Sequence, residues 1–266
     1  MVVFPNCKIN LGLKILDKRP DGFHNLQTIF YPLKINDALE VIKATDFTEF
    51  SSSGIKIDGD IENNLCIKAF DLLKKDYPDL PSIKIHLHKA IPIGAGLGGG
   101  SADATFTLQL LNTKFQLNIT DSQLAGYALQ LGSDCPFFLL NKPCSASGRG
   151  ENLEPISVDL SAYNILIVHP GIHINTGWAF TALNSLPKTV STDIRPNDMS
   201  TWINDFEAVV FEKYPEIKKI KEKMYEAGAI YASMSGSGST VFGLFEKKIN
   251  ISIDLPVSYY QKTLDL

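Results

Sequence analysis

The stretch Ile91–Ala104 reads IPIGAGLGGGSADA and places five glycines between positions 94 and 100. It follows residues 83–89, where apolar and polar side chains alternate as in a half-buried strand. It precedes residues 104–115, where apolar side chains recur at helical spacing. The glycines therefore open a helix whose first amide groups lack intrahelical acceptors and carry the positive end of the helix dipole. The stretch predicts a phosphate-binding loop between a strand and a helix.

Other kinds of glycine-rich loop fit this stretch less well. Gly94, Gly96 and Gly99 satisfy the G-x-G-x-x-G spacing of dinucleotide-binding loops, but Pro92 falls where the required parallel strand would still run. No Lys-Ser/Thr pair follows the glycines as it does in a P-loop, and the later signatures of protein kinases are absent from the sequence. A turn without a ligand is disfavoured, because five glycines lower helix and loop stability with no gain in packing.

The composition is that of an ordinary globular chain. Of the 266 residues, 44% are hydrophobic and 20% are charged, and the net charge is −4 with no basic block. No apolar run reaches membrane-spanning length, so we expect neither nucleic acid nor a membrane as a partner. The four cysteines lack the spacing of a zinc site or a disulfide framework. Reduced thiols and the absence of a leader-like N-terminus predict a cytoplasmic protein.

The glycine stretch resembles the phosphate loop of the GHMP kinases, the superfamily of galactokinase, homoserine kinase, mevalonate kinase and phosphomevalonate kinase. That loop has the form Pro-x-x-x-Gly-Leu-Gly followed by three small residues, and here Pro92–Ser101 reads PIGAGLGGGS. The resemblance implies a two-lobed α+β kinase fold, with an N-terminal lobe like ribosomal protein S5 domain 2 and a ferredoxin-like C-terminal lobe. A composition shift near residues 151–162 predicts lobes at residues 1–155 and 156–266.

By this resemblance ATP is the co-substrate, and Mg²⁺ bridges its phosphates on the glycine loop. Ser101 is implied both to bind ATP and to be the candidate metal ligand. Asn64 is implied to bind ATP, and it is also predicted to cap a helix, because an amide side chain accepts hydrogen bonds from the first free amides of a helix. The residues implied to bind ATP are Asn64, Lys89, Pro92, Gly94, Gly96, Leu97, Gly98, Gly99, Gly100 and Ser101.

Two strings carry the implied catalytic residues. The alternation in residues 3–16 predicts a strand with Lys8 and Asn10 side by side on one face, where polar residues commonly meet solvent. The string PNCKINL, starting at Pro5, resembles an opening in which the lysine and the asparagine enter the active site. The string LGSDCPFF, starting at Leu131, resembles one whose aspartate faces the phosphoryl acceptor, although an aspartate after a helix-ending glycine is commonly a turn residue. The resemblance implies that Lys8 and Asp134 are catalytic and that Asn10 binds substrate.

Two further strings carry the implied specificity. Residues 18–28 read KRPDGFHNLQT and contain a Pro-Asp-Gly turn. The resemblance implies that Phe23 and Phe180 stack on a cytosine, that His24 hydrogen-bonds it and that Thr176 lies near the substrate. Phe23 replaces a commoner tyrosine, which removes a hydroxyl and keeps the ring face. Trp178 is a rival to Phe180, because its ring presents more area.

Within the superfamily, the GGGS form of the loop looks like the branch that phosphorylates the 2-hydroxyl of a cytidine diphosphate-linked methylerythritol in isoprenoid precursor synthesis. Two alternatives remain open. One is another kinase of the superfamily, acting on a small alcohol such as homoserine or mevalonate. The other is a nucleotide-binding regulator without catalysis.

Two later strings also resemble the family. Asn204–Glu207 reads NDFE and is predicted to start a helix. Ser233–Phe242 reads SMSGSGSTVF, a second glycine-rich loop that resembles the superfamily motif supporting the phosphate loop.

Overall fold

The computed structural model describes residues 1–185 and 193–266, which form two compact units. The first unit comprises Met1–Lys8, Pro32–Ile93 and Gly98–Lys142, and the second comprises Ile9–Tyr31, Gly94–Leu97 and Pro143–Leu266. Both units are discontinuous in sequence. The single boundary expected after residue 155 stays a prediction about the lobes.

The elements come mostly in runs of strands and runs of helices, as in an α+β fold. The strands are β1 (Val2–Val3), β2 (Asn6–Lys18), β3 (His24–Asn36), β4 (Ala38–Lys43), β5 (Glu49–Gly54), β6 (Ile83–Lys89), β7 (Cys144–Ser147), β8 (Asn152–Pro155), β9 (Tyr163–His169), β10 (Tyr231–Met234), β11 (Val241–Glu246) and β12 (Tyr260–Asp265). The helices are α1 (Leu65–Asp76), α2 (Gly99–Phe115), α3 (Asp121–Leu131), α4 (Cys135–Leu140), α5 (Thr176–Leu183), α6 (Phe206–Lys213) and α7 (Pro215–Glu226). Short 3-10 turns lie at Ile61–Asn63 and Met199–Thr201.

The first unit is built on a mixed sheet of strand order β1-β4-β6-β5. Strand β6 runs antiparallel to β4 and parallel to β5. Its residues Ile83, Ile85 and Leu87 are buried, as the alternation predicts, and they pack with apolar side chains of α1 and α2 in one core. Burying this face stabilises the unit through the hydrophobic effect. The sheet thereby fixes the position of α2, which follows β6 in the chain.

The helix boundaries of the first unit follow from their capping residues. Asn64 caps α1 through its side chain, which accepts a hydrogen bond from the Cys66 amide at 2.9 Å. Thr120 and Gln123 form a reciprocal capping box at the start of α3, and Gly132 follows its last turn. The predicted starts of α1 and α2 are therefore confirmed.

The second unit contains an antiparallel sheet of order β10-β11-β9-β12. The central residues Ile165–Val168 of β9 are buried, as expected for a strand covered on both faces. Helix α7 packs its buried residues Ile217, Ile220 and Met224 into the same core as β9 and β11. A third sheet has the order β2-β3-β7-β8, and its pairing of β3 with β7 lies within this unit. These two sheets carry the loops described below.

In residues 1–185 and 193–266, none of the helices combines the length and the apolar character needed to cross a bilayer.

Candidate functional site

The start of α2 is shaped by Gly98, the residue that precedes it. Gly98 has φ 70° and ψ 14°, a left-handed conformation that glycine adopts readily. A β-carbon there would lie 3.1 Å from Cε of Lys8 and 3.1 Å from Cζ of Phe138. Both the backbone conformation and the close packing therefore favour glycine. The first turn of α2, where helix amides lack intrahelical acceptors, is a suitable place for an anion.

The two predicted catalytic residues meet within the first unit. Lys8 Nζ lies 3.2 Å from Asp134 Oδ2, and their side chains are 3% and 35% exposed. Asp134 precedes α4 but makes no capping hydrogen bond with its side chain. The usual exposure of polar strand residues does not hold for β2, because Lys8 and Asn10 are both buried. A buried ammonium thus holds a half-exposed carboxylate next to the start of α2.

Ser101, the candidate metal ligand, lies in the first turn of α2 and is half-buried. Its side chain hydrogen-bonds Cys135, whose thiol has its pKa raised to about 11 mainly by burial. Within the described ranges, no group of three or more His, Cys, Asp or Glu side chains could hold a metal ion. Among the described residues the donor set at this helix start is therefore open, with the Ser101 hydroxyl as the candidate protein ligand. Such a donor set fits Mg²⁺, which commonly takes most of its ligands from phosphate and water.

Lys89, another candidate for ATP binding, lies inside the first unit. Its Nζ pairs with Asp37 and, at 2.6 Å, with Asp103, and all three side chains are buried. Burial lowers the pKa of Lys89, but the charges of Asp103 and Asp37 outweigh this and raise it. Burial raises the pKa of Asp103 to about 7. One ammonium thus faces two carboxylates, and a proton shared with Asp103 would make the cluster neutral.

Sequence reasoning did not single out Asp37 and Asp103. Asp37 Oδ1 also accepts hydrogen bonds from the amides of Ala90 and Ile91, at 2.6 and 2.9 Å. The cluster therefore fixes the backbone that leads into the glycine stretch. A β-carbon on Gly99 would lie 3.1 Å from Lys89 Nζ, so the ammonium sits directly beneath the start of α2. Direct contact between Lys89 and ATP stays a prediction.

The other ATP-binding candidates of the first unit lie near the same helix end. Leu65, which follows the capping residue Asn64, lies beside α2: its Cδ1 would be 3.7 Å from a β-carbon on Gly100. Pro92 is buried, whereas Gly100 is exposed. This arrangement brings the starts of α1 and α2 together.

The glycine stretch continues in the second unit, where Gly96 meets the second glycine-rich loop. The Ser235 hydroxyl donates to the Gly96 carbonyl at 2.9 Å and accepts from the Asn10 amide at 3.2 Å. The Thr240 amide donates to the Ala95 carbonyl at 3.2 Å. The predicted support of the phosphate loop by the second loop is therefore present. Sequence reasoning did not single out Ser235, although its position directly before Gly236 in the second glycine-rich loop could have identified it.

Three further candidate binding residues lie in the second unit and are closely packed: Gly94 and Leu97 of the glycine stretch, and Asn10 of β2. Leu97 is buried, and a β-carbon on Gly94 would lie 2.9 Å from Nδ1 of His173. Asn10 donates through Nδ2 to Thr28 Oγ1 at 3.0 Å. These contacts fix the backbone on either side of Gly96.

His24 and Phe180 form a stacked pair in the second unit. Their ring centroids are 4.7 Å apart with an interplanar angle of 14°. His24 Nε2 also lies 3.2 Å from Asn184 Oδ1, and the edge of Phe206 contacts Phe180 at 4.9 Å. The structure therefore unites two of the three residues expected to read cytosine. Sequence reasoning missed α5, the short helix that carries Phe180.

Phe23, the third of these residues, contacts a different partner. The Arg149 guanidinium lies 4.6 Å from its ring centroid, and the Phe23 side chain is 51% exposed. Trp178, the rival of Phe180, makes an edge contact with Tyr214 at 6.0 Å and has Lys213 Nζ 4.0 Å from its ring centroid. Phe180, rather than Trp178, is thus the ring next to His24.

Thr176, the last substrate candidate, begins α5. Its hydroxyl lies 2.9 Å from the Ser237 hydroxyl of the second glycine-rich loop. The start of α5 is thereby joined to that loop.

Two protein-family models match the chain. The model of the GHMP kinases N terminal domain matches residues 64–142, and the model of the GHMP kinases C terminal matches residues 192–252. A 4-diphosphocytidyl-2-C-methyl-D-erythritol kinase of Azobacteroides pseudotrichonymphae genomovar. CFP2 is 51% identical to this chain over 253 residues, which cover 93% of this chain and 94% of that protein.

Solved structures agree. A crystal structure of 4-(cytidine 5'-diphospho)-2C-methyl-D-erythritol kinase matches with a TM-score of 0.77 and 31% identity, covering 92% of this chain and 90% of that one. A homoserine kinase from Cytophaga hutchinsonii matches with a TM-score of 0.67 and 16% identity, covering 99% of this chain and 97% of that one. The second likeness concerns the fold alone.

The contact between Gly96 and Ser235 predicts that adding a methyl group at position 96 destabilises the fold. In Gly96→Ala the β-carbon would lie 2.1 Å from the Ser235 carbonyl oxygen at φ 79°. We expect the free energy of unfolding to fall by roughly 2–4 kcal/mol, from left-handed strain plus overpacking. Chemical denaturation measures it. Gly59→Ala, at φ 100° with no atom within 4 Å, carries the strain alone, and equal losses in both variants would contradict the packing argument.

The buried cluster of Lys89, Asp37 and Asp103 predicts a pH-dependent stability. Burial raises the pKa of Asp103 from its ordinary value of 3.8 to about 7, so between these pH values the folded state binds one more proton than the unfolded state. The free energy of unfolding supplied by this group is therefore full below about pH 4 and is lost as the pH rises toward 7, by roughly 4 kcal/mol in all and about 3 kcal/mol above pH 5. In Asp103→Asn this loss disappears. Urea denaturation of both proteins from pH 5 to 8 measures it, and parallel profiles would contradict the assignment.

Proposed function

This chain belongs to the GHMP kinase family, and from that membership we propose that it transfers a phosphoryl group from ATP to the 2-hydroxyl of 4-diphosphocytidyl-2-C-methyl-D-erythritol. It is a small-molecule kinase, and ATP is its co-substrate. The observation that carries the chemistry is the pairing of Lys8 with Asp134 beside Gly98, at 3.2 Å between Nζ and Oδ2. The acceptor follows from the relatives, whose names specify it, and it matches the substrate class expected from the sequence.

Phosphate binding is assigned to the glycine stretch. Phosphoryl transfer needs mainly positioning and neutralisation of charge around a loose, in-line transition state. The first amides of α2 at Gly99, Gly100 and Ser101 supply both without a mobile side chain. Lys89 contributes indirectly, because its pairing with Asp37 holds the backbone before the loop.

Asp134 and Lys8 are assigned to the reacting groups. Asp134 orients the acceptor hydroxyl, and its carboxylate accepts the hydroxyl proton as the new O–P bond forms and the bond to the departing ADP breaks. Lys8 keeps the carboxylate in place and offsets negative charge on the phosphoryl group as it moves. The partial exposure of Asp134 supports this role, because the hydroxyl must be able to reach the carboxylate.

Mg²⁺ is proposed to accompany ATP. Ser101 would be its protein ligand, with phosphate oxygens and water completing the set. The ion supplies charge neutralisation between the β- and γ-phosphates.

Base recognition is assigned to the second unit. Phe23 offers an exposed ring, and stacking on a base contributes roughly 1–3 kcal/mol. The paired rings of His24 and Phe180 would provide a second platform and a hydrogen-bonding edge. Asn10 and Thr176 are proposed to contact the rest of the acceptor. The cytidine diphosphate-linked methylerythritol is thus a small-molecule partner, and the expectation of no nucleic-acid or membrane partner stays a prediction.

A cytoplasmic location is also proposed. Cys7, Cys66, Cys135 and Cys144 are all buried and unpaired. Free thiols of this kind are typical of a reducing compartment.

The acceptor assignment is tested by ADP release from the purified protein with a panel of alcohols. We expect turnover with 4-diphosphocytidyl-2-C-methyl-D-erythritol and background release with homoserine or mevalonate, because only the first carries a base to stack. Turnover with a small alcohol alone would favour another kinase of the superfamily. Nucleotide binding without turnover on any acceptor would favour a regulator.

The catalytic assignment is tested with Asp134→Asn and Lys8→Met. We expect Asp134→Asn to lower kcat about 10²–10⁴-fold, because the amide cannot accept the proton, with a KM for ATP within about threefold of wild type. Lys8→Met should also lower kcat. Asp76→Asn is the matched control, since Asp76 accepts from the Tyr127 hydroxyl on the same unit, and it should retain full activity. Normal turnover by Asp134→Asn would remove that residue from the mechanism.

A further inference from the structure

The NDFE segment, Asn204–Glu207, contacts several functional parts of the second unit. Its sequence suggests only a helix start, and the proposed chemistry gives it no role. In the structure, each polar side chain of the segment forms a hydrogen bond with a residue outside α6. Phe206 packs on the ring of Phe180. The segment therefore has more partners than a helix start requires.

Asn204 is tied to the second glycine-rich loop. It is 2% exposed, and its Nδ2 donates to the carbonyls of Met234 at 2.6 Å and Gly236 at 2.9 Å. These carbonyls flank Ser235, whose hydroxyl donates to the Gly96 carbonyl. One buried amide group therefore fixes the loop that supports the phosphate-binding backbone.

This use of Asn204 differs from ordinary capping. A capping asparagine needs only its oxygen, which accepts a bond from a helix amide. Asn204 Oδ1 does accept from the Phe206 amide at 3.0 Å, but both donated bonds go to carbonyls 30 and 32 residues further along the chain. The amino group is what distinguishes a loop-positioning role from a cap.

Asp205 and Glu207 connect the segment to two strands. The Asp205 amide donates to the Leu13 carbonyl at 2.9 Å, and its Oδ2 accepts from the Ile15 amide at 2.8 Å, both on β2. Glu207 Oε1 accepts from the Met234 amide at 2.8 Å at the end of β10. The segment is thereby anchored to β2 and to the end of β10.

Phe206 connects the segment to the aromatic pair. It is buried, and its ring meets Phe180 at 4.9 Å with an interplanar angle of 87°, an edge contact. Phe180 in turn stacks on His24. The position of Phe206 therefore limits where the Phe180 ring can lie.

We propose that the NDFE segment is a positioning element in which Asn204 sets the phosphate loop and Phe206 sets the base-binding rings. This rests on the proposed function for the identity of the acceptor. Asn204 and Phe206 act through Ser235 and Phe180, respectively, and are positioning residues. Substitutions of the two residues should therefore have different kinetic effects, because Asn204 contacts the second glycine-rich loop and Phe206 contacts the Phe180 ring.

The first test compares kinetic constants for ATP. In Asn204→Ala we expect the KM for ATP to rise about tenfold, while the KM for the acceptor stays within about threefold. Asn204→Asp keeps the oxygen that caps α6 and loses the donated bonds. It should be impaired as strongly as Asn204→Ala. A normal KM for ATP in Asn204→Asp would reduce Asn204 to a helix cap and overturn the proposal.

The second test concerns the rings. In Phe206→Leu we expect the KM for 4-diphosphocytidyl-2-C-methyl-D-erythritol to rise about three- to tenfold, with the KM for ATP unchanged. Equal changes of both KM values in Asn204→Ala and Phe206→Leu would mean a general loss of structure and would overturn the separation.

A matched control addresses stability. Asn112 in α2 also donates to a carbonyl, that of Ile119 at 2.9 Å, and accepts from the amide of the same residue at 3.0 Å. Asn112→Ala should lower the thermal midpoint about as much as Asn204→Ala and leave both KM values unchanged. A rise in the KM for ATP in Asn112→Ala as large as in Asn204→Ala would overturn the positioning role.

A binding measurement keeps this inference distinct from the proposed function. Calorimetric titration with ADP alone needs no acceptor, and Asn204→Ala should weaken ADP binding about tenfold relative to wild type. If the wild type fails to phosphorylate the cytidylyl acceptor, the proposed acceptor is wrong while the ADP titration still decides the role of Asn204. Equal ADP affinity in both proteins would overturn that role.

Discussion

A backbone contact that leaves no space for a side chain, between Gly96 and the carbonyl of Ser235, is the constraint on which the candidate site depends. The two glycine-rich loops are far apart in the sequence, and they meet because one of them lacks a β-carbon at this point. Asn10 adds a third segment, since its amide donates to the same Ser235 hydroxyl. The geometry of the glycine stretch around Gly96 is therefore a tertiary property of the second unit.

The first unit places two kinds of ion pair around the start of α2. Lys89 and its carboxylates are buried, so they exchange poorly with water and serve mainly to hold backbone. Asp134 is partly exposed and belongs to a pair whose lysine is buried. This difference in access supports the proposed role of Asp134 at the acceptor hydroxyl, while direct contact between Lys89 and ATP stays a prediction.

Much of this was predictable from the sequence, for identifiable reasons. Local signals predicted the capping by Asn64 and the start of α2 at the glycines, and both are confirmed. The resemblance predicted a GHMP kinase fold of α+β type, and family membership confirms it. The pairing of Lys89 with Asp37 was missed because 52 residues separate them and no local spacing encodes such a contact. The stacking of His24 on Phe180 was also missed, because no local spacing encodes this contact either. Sequence reasoning expected both rings to contact a ligand instead of each other.

The discontinuity of the two units has a consequence for synthesis of the chain. All segments of the first unit have left the ribosome soon after residue 142 is made, so that unit can fold cotranslationally. Residues 9–31 emerge among the first but belong to a unit that extends to residue 266. The nascent chain must therefore keep part of β2 without the partners of Leu13 and Asn10 until Asn204 and Ser235 have been made.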